Sequence, residues 1–301
     1  MPPQSKSPTM PRIPGLEKGT AFERPRDEQP RFIFSLQGEP KTLKSSFPFG
    51  GPSPIVVFDI DDRLEGVANP WMDGRRGAKN IVRVPLYLPK IDYKARAIDP
   101  GVKHAAEDEW NKFITHLRTA WASSMLPGGV RTISIDDASS LRNLRLMAEF
   151  GRLSMIPQNS RGDANLEMGN LMREGRRYNA NVVWIHELRD GYKLVRTTET
   201  GKDGIPREVE KSEKSGEREL DGYAKTHYAV DTMLETVQLK LKPSKGGEPQ
   251  LPFGIRVIGS GLNVQTNGVL YTEADWEDFP AFAWVASNEK PKTTIFDWLD
   301  E

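Results

Sequence analysis

Apolar positions along the chain fall into two periods. Three stretches are largely apolar, Phe32 to Leu36, Ile55 to Ile60, and Val182 to Ile185 within the segment Asn181 to Leu188, and Val130 to Ile135 is a further strand-like segment that finishes in paired aspartates. Runs of that length, unbroken by alternation, predict strands buried on both faces of a parallel sheet. Ile81 to Leu88 alternates and carries Pro85, which predicts an edge strand. Between Ala105 and Ser124 the positions Trp110, Phe113, Ile114, Leu117, Ala120 and Trp121 recur at helical spacing, and Pro127, Gly128 and Gly129 end the pattern. Asn165 to Tyr178 predicts a second helix with Leu166, Met168, Leu171 and Met172 inward. Tyr228 to Leu241 and Leu251 to Ile258 alternate as antiparallel strands extending the sheet. The fold class expected is α/β, with a mostly parallel central sheet flanked by helices. Residues 1–31 form a flexible N-terminal arm, 32–260 the main domain, and 261–301 a C-terminal extension.

The first apolar strand runs into a turn whose chemistry is specific. Gly38, Glu39, Pro40, Lys41, Thr42, Leu43, Lys44, Ser45 and Ser46 have the spacing of a phosphate-binding loop that opens into a helix. In such a loop backbone N–H groups face an anion, a lysine reaches the outer phosphates, and the next hydroxyl holds Mg²⁺. The motif calls for glycine directly before the lysine, where this chain has Leu43, and a side chain there narrows the cradle and argues for slow hydrolysis. The competing reading is a polar turn with a solvated lysine. Three later strand ends supply matching polar groups. Asp59, Asp61 and Asp62 close the second strand, where a base orienting water would sit; Asp136 and Asp137 close the next, where a carboxylate binds Mg²⁺. His186 and Glu187 close the last, as a possible sensor of the terminal phosphate.

Charge adds a second theme. Basic residues number 42 and acidic residues 42, so a nucleic-acid surface needs local segregation. Arg75, Arg76, Lys79 and Arg83, with Tyr87 and Tyr93 interleaved nearby, have the ingredients of a single-strand groove, and a solvated basic face is the plain alternative. Seven arginines and no lysine lie between Arg142 and Arg177, among them Arg152 and Arg161 on or near an expected loop, where they suit a nucleic-acid backbone. Residues 199–219 hold five basic and seven acidic residues and read as a mobile charged loop rather than a DNA clamp. The last 29 residues carry eight acids, two bases and three tryptophans, as a docking tail for a replication or recombination partner would. Zero cysteines exclude a disulfide framework and a cysteine nucleophile. No apolar run approaches the ~20 residues that span a bilayer, so a cytoplasmic protein without membrane contact is expected.

Taken in order, Gly38 to Ser46, Val56 to Asp61, Ile133 to Asp137, the helix from Asn165 to Leu171 and Val182 to Glu187 resemble the phage AAA-type nucleotide-binding proteins. These are RecA-like ATPases, of which the Sak-type single-strand annealing proteins are a kind. The resemblance spans roughly residues 31–240. It implies a RecA-like core, ATP and Mg²⁺ as cofactors, single-stranded DNA as a partner, a homo-oligomer, and the cytoplasm of an infected host. It further implies Lys44 and Ser45 as the phosphate lysine and Mg²⁺ hydroxyl, Asp136 as the metal-side carboxylate, and Asp61 at the place of a catalytic glutamate. Aspartate is one methylene shorter, a second departure that argues for weak turnover. The alternative function is an inactive phosphate-loop scaffold that binds DNA or a partner through its tail.

Overall fold

In the computed structural model, the described residues are 31–40, 42, 44–62, 64, 67–68, 79–90, 99–153, 156, 161–200, 206–223, 225–238, 253–261 and 267–272. Nine strands form a single sheet: β1 (Ile33–Gly38), β2 (Ile55–Ile60), β3 (Ile81–Leu86), β4 (Thr132–Asp136), β5 (Asn181–Thr200), β6 (Pro206–Asp221), β7 (Thr232–Gln238), β8 (Phe253–Ser260) and β9 (Leu270–Thr272). Their order is β3-β2-β4-β5-β1-β7-β8-β9, with β6 paired to β5 outside this path. Strands β1 to β5 and β7 are mutually parallel, and β6, β8 and β9 are antiparallel additions. This is the α/β class expected, a mostly parallel sheet with helices packed on it. The chain leaves β1 toward β2 on one side, while β7 closes on the other. Such a reversal opens a crevice at the carboxyl ends of the strands, where open α/β sheets bind ligands.

The apolar runs are buried as their continuity requires; β2 and β4 are buried at every position. One face of the sheet carries Phe58, Ile133, Ile135 and Trp184 against the helices α1 (Pro100–Ser124), α2 (Ala138–Phe150) and α3 (Gly162–Glu174). Trp110, Phe113, Leu117 and Trp121 form the inner stripe of α1, so the periodic residues are core. Asp99 starts that helix by accepting from the backbone N–H groups of Gly101 and Val102, and Pro100 supplies a preset first turn. On the opposite face, Phe34, Leu36, Val183 and Ile185 meet Phe47, and Ile55 and Val57 meet Phe49. Among the described residues no helix is long and apolar enough to cross a membrane.

Several local expectations change. The helix expected after the phosphate loop is a seven-residue 3₁₀ helix, Lys44–Gly50, containing Pro48. That proline lacks an N–H, and Gly50, Gly51 and Pro52 follow it, so no longer helix propagates. Residues 199–200 and 206–219, expected within a mobile loop, lie in strands: β5 and β6 pair antiparallel from Glu187–Asp221 out to Thr200–Pro206. The register sets Arg189 opposite Glu219, Asp190 opposite Arg218, Lys193 opposite Glu213 and Arg196 opposite Glu210. The opposite charges of Arg189 and Glu219 and of Asp190 and Arg218 pair across the strands and favour a ribbon that a residue count alone would assign to solvent. Strand β7 alternates in burial yet lies parallel to β1, because it is the last parallel strand before the antiparallel β8. Leu166, expected inward, is 56 % exposed, while Met168, Leu171 and Met172 are buried as expected. The sheet also continues through β9, past the residue 260 boundary.

Gly38 ends β1 where two strands close in. A Cβ there would stand 1.9 Å from Thr236 Oγ1 and 2.9 Å from the Thr236 carbonyl oxygen. We expect Gly38→Ala to lower unfolding free energy by roughly 1–3 kcal/mol in urea denaturation, as overpacking does. Adding Thr236→Ala should restore only part of it, because the carbonyl contact stays.

Candidate active site

The turn after β1 is held from two sides. Thr42, buried, donates its hydroxyl to the Glu39 carbonyl at 2.7 Å, and its Oγ1 lies 2.5 Å from Thr236 Oγ1 on β7. Lys44 follows, with its Nζ donating to the carbonyls of Gly38 at 2.5 Å and Glu39 at 3.1 Å. Burial lowers the Lys44 pKa from its ordinary value; Glu187, Asp136, Asp137 and Glu39, in that order, pull it back up. The lysine is therefore a cation with four carboxylates around it, folded onto its own loop.

Strand β4 delivers the partner carboxylate. Asp136 is the last residue of β4 and only 6 % exposed. Ser45 lies close enough to its carboxyl to favour the charged form, and the carboxyl oxygen Oδ2 is buried with no hydrogen-bond partner. Burial raises the Asp136 pKa to about 6; Asp137 and Asp59 push it the same way, while Ser45 and Lys44 oppose them. Asp137, joined to Asp136 by a cis peptide bond, caps α2 by accepting from Ser140. Ser45 and a buried carboxylate oxygen that lacks a partner are the donor set that suits Mg²⁺, which takes one or two protein oxygens and fills the rest with phosphate and water. Ser45 and Asp136 would hold the ion, and when bound it would neutralise charge on the phosphate oxygens.

Strand β5 supplies the floor. The register pairs Gln37 with His186 and Gly38 with Glu187, so both tip residues lie level with the end of β1. His186 is fully buried, and neither ring nitrogen makes a hydrogen bond of ordinary geometry. Burial depresses its pKa to about 4; the nearby Asp221 backbone favours the charged ring, too weakly to offset burial, and Lys44 adds to the depression. The imidazole is neutral at pH 7. Glu187 is half-buried, and its backbone N–H donates to Ser139 Oγ at 3.0 Å, while the Ser139 hydroxyl donates to the Asp221 carbonyl.

Asp59 and Asp61, two residues apart at the end of β2, have different surroundings. Asp59, paired in register with Asp136, is completely buried and accepts from Arg83 Nε at 2.6 Å; Arg83 also pairs with Asp62. Asp61, at φ 65°, accepts from the Leu88 N–H at 3.1 Å on the edge-strand side. The structure thus gathers Lys44, Ser45, Asp136, Asp137, His186 and Glu187, and places Asp61 beside β3. Among the expected nucleic-acid residues, Arg83 is bound to Asp59, and Lys79 donates to the Gly51 carbonyl at 3.1 Å. Arg152, half-buried, follows α2, and Arg161 immediately precedes α3, near Arg142. Lys41, Leu43, Arg75 and Arg76 lie outside the described residues, as do residues 1–30 and the acidic tail.

Two contributors were not anticipated. Ser139 had a visible signal, because it sits directly after the paired aspartates in the first turn of α2. Arg218 had none: its Nη2 reaches Glu39 Oε2 at 3.1 Å across 179 residues of sequence, by way of the ribbon register.

No protein-family model matches this sequence, and no curated protein matches it. Among solved structures the chain is similar to the flagellar accessory protein FlaH from Methanocaldococcus jannaschii, at 9 % identity and a TM-score of 0.38, over 79 % of this chain and 84 % of that one. A likeness that low has no bearing on activity.

Asp136 and His186 couple stability to pH in opposite senses. The folded state takes up a proton on Asp136 near pH 6, well above the unfolded value, so the penalty of burying its charge is present at pH 7 and fades as pH falls toward 4. His186 has a depressed folded pKa, so its contribution is intact above about 6.5 and is lost as pH falls toward 4. Asp136→Asn should raise unfolding free energy at pH 7.5 by about 1–3 kcal/mol. The same variant should lose stability more steeply than wild type between pH 7.5 and 4.5, since the histidine is then unopposed. Urea denaturation at the two pH values reads both effects.

Proposed function

We propose that this chain binds a nucleoside triphosphate with Mg²⁺ in the crevice between Lys44, Ser45 and Asp136, hydrolyses it slowly, and works on single-stranded DNA. The observation that carries the nucleotide reading is the contact between Ser45 and the buried Asp136, with Oδ2 left without a partner beside the Lys44 ammonium. A hydroxyl and a carboxylate drawn together next to a lysine suit a metal and the phosphates it bridges. ATP is the triphosphate the resemblance favours.

Slow turnover follows from the surroundings of the candidate base. Asp61 is turned toward the Leu88 N–H beside β3, away from Lys44 and Asp136, and Asp59 is paired with Arg83, so neither is poised as the base for water at this site. Leu43 in place of glycine acts in the same direction. DNA binding rests on the arginines around α2 and α3. Arg142, Arg161 and Arg189 lie close enough for the latter two to depress the pKa of Arg142, after burial, and Arg161 Nε has no hydrogen-bond partner. Arg189 is paired with Glu219 and Asp221, and Arg142 donates to Asn165, so Arg161 is the member of the group that suits a phosphate backbone. A homo-oligomer and a partner for the acidic tail belong to the same reading.

Titration with Mg-ATP tests the nucleotide site. Wild type should bind, Lys44→Ala should weaken binding by about tenfold or more, as loss of a charge-assisted hydrogen bond does, and Ser45→Ala should remove most of the Mg²⁺ dependence. Absence of binding by wild type would sink the reading. Turnover should stay below the roughly 1 s⁻¹ at which ordinary enzymes begin. Single-strand binding should weaken with salt, and Arg161→Ala should flatten that dependence by about one unit of slope; an unchanged slope removes the arginine cluster from the interface.

A further inference from the structure

The root of the β5–β6 ribbon touches the phosphate loop. Arg218, on β6, places Nη2 3.1 Å from Glu39 Oε2 and donates the same nitrogen to the Leu188 carbonyl at 3.1 Å. Its Nη1 donates to Asp190 Oδ1 at 3.2 Å, and Asp190 is bound in turn by Lys214 Nζ at 2.5 Å. The chain of charges Glu39, Arg218, Asp190, Lys214 therefore begins on the loop and ends on the ribbon. Glu39 is the residue whose carbonyl accepts from Lys44, so a single loop residue holds one cation by its backbone and another by its side chain.

The ribbon is bent where this happens. Its register shifts between Asp190 and Tyr192, so that Asp190 faces Arg218 while Tyr192 faces Lys214. Glycines make the irregularity possible: a Cβ on Gly191 would stand 2.7 Å from Ser215 Oγ and 3.0 Å from the Glu217 carbonyl, and Gly216 has a φ of +82°. Bulges re-aim side chains, and this one sets the residue facing Asp190 against the loop. The Glu39 and Arg218 side chains are 49 % and 43 % exposed, and an isolated exposed pair of this kind contributes little to stability. A site-directed bulge and two glycines are a large construction for so small a gain.

We propose that Arg218 is a second phosphate-directed cation, delivered by the ribbon within the same chain and held in reserve by Glu39 until the terminal phosphate of a nucleoside triphosphate takes the carboxylate's place. This rests on the triphosphate reading of the Lys44 site. The carboxylate of Glu39 and a terminal phosphate each offer a guanidinium two anionic oxygens, so exchange needs no new chemistry. Arg218 then favours a triphosphate over a diphosphate, and the ribbon root loses its tie to Glu39 when the triphosphate binds.

The test measures binding of Mg-ATPγS and Mg-ADP to wild type, Arg218→Ala, Arg218→Lys, Glu39→Gln and Lys44→Ala. Amide exchange of residues 188–190 and 217–220 is followed with and without nucleotide. Arg218→Ala should lower ATPγS affinity about tenfold with less than about twofold effect on ADP. Arg218→Lys should retain part of the preference, and Glu39→Gln should raise ATPγS affinity by about two- to fivefold by releasing the arginine. In the free protein both Arg218→Ala and Glu39→Gln should speed exchange at the ribbon root, and ATPγS should alter exchange there more than ADP does. If wild type binds both nucleotides, Lys44→Ala abolishes binding, and the ATPγS to ADP ratio is unchanged in Arg218→Ala, Arg218→Lys and Glu39→Gln, the Arg218 assignment is overturned while the Lys44 site stands. If wild type binds neither nucleotide, both fall together. Should Arg218→Ala fail to fold, the ratios in Arg218→Lys and Glu39→Gln decide alone.

Discussion

The site is organised by one hydroxyl reaching one buried carboxylate. Ser45 follows β1 and Asp136 ends β4, and the two strands are not neighbours, because β5 lies between them. For the contact to form, the turn after β1 must arch over the carboxyl end of β5. His186, at the end of β5 with Gly222 against its ring, is completely buried and so stays neutral. The arch brings Lys44 within reach of Glu187, Asp136, Asp137 and Glu39 at once, four acids from three different parts of the sheet. Burial of the lysine and the raised aspartate are two consequences of a single crossing.

What the sequence disclosed, it disclosed through local patterns. The apolar run from Ile55 placed β2, and Ile133 and Ile135 before the paired aspartates placed β4, whose buried Thr132 and Ser134 are small enough to sit between sheet and helix. Lys44, Ser45 and Asp136 were legible for a related reason: each falls at the tip of a run, and strand tips in a parallel sheet share one edge. The 3₁₀ helix was half-legible, for Pro48 stands in the sequence, but the phosphate-loop pattern favours a helix and outweighed it. Register stayed hidden. The ribbon formed by β5 and β6 depends on which charge stands opposite which, and composition over residues 199–219 averages that information away. Arg83 is another case, a base in a basic stretch whose partner, Asp59, is visible only once β2 and β3 pair in register. The parallel sense of β7 was hidden because its alternating burial is the usual mark of an antiparallel strand.

Arg83 explains why the two register-paired aspartates, Asp59 and Asp136, do not behave alike. Two carboxylates side by side at adjacent strand ends repel, and both are removed from water. Arg83 answers Asp59 with its guanidinium and reaches Asp62 as well, so the edge strand compensates one member of the pair. Asp136 receives no such guanidinium. It has the Ser45 hydroxyl nearby, a buried oxygen, Oδ2, without a hydrogen-bond partner, and a lysine whose attraction is the least of the influences acting on it. A buried charge left in that state works against folding, and a chain that places an arginine two strands away had the means to relieve it. An uncompensated carboxylate beside a compensated one suits a position whose counter-charge would arrive from outside the chain, as a divalent cation would next to Ser45 and Lys44.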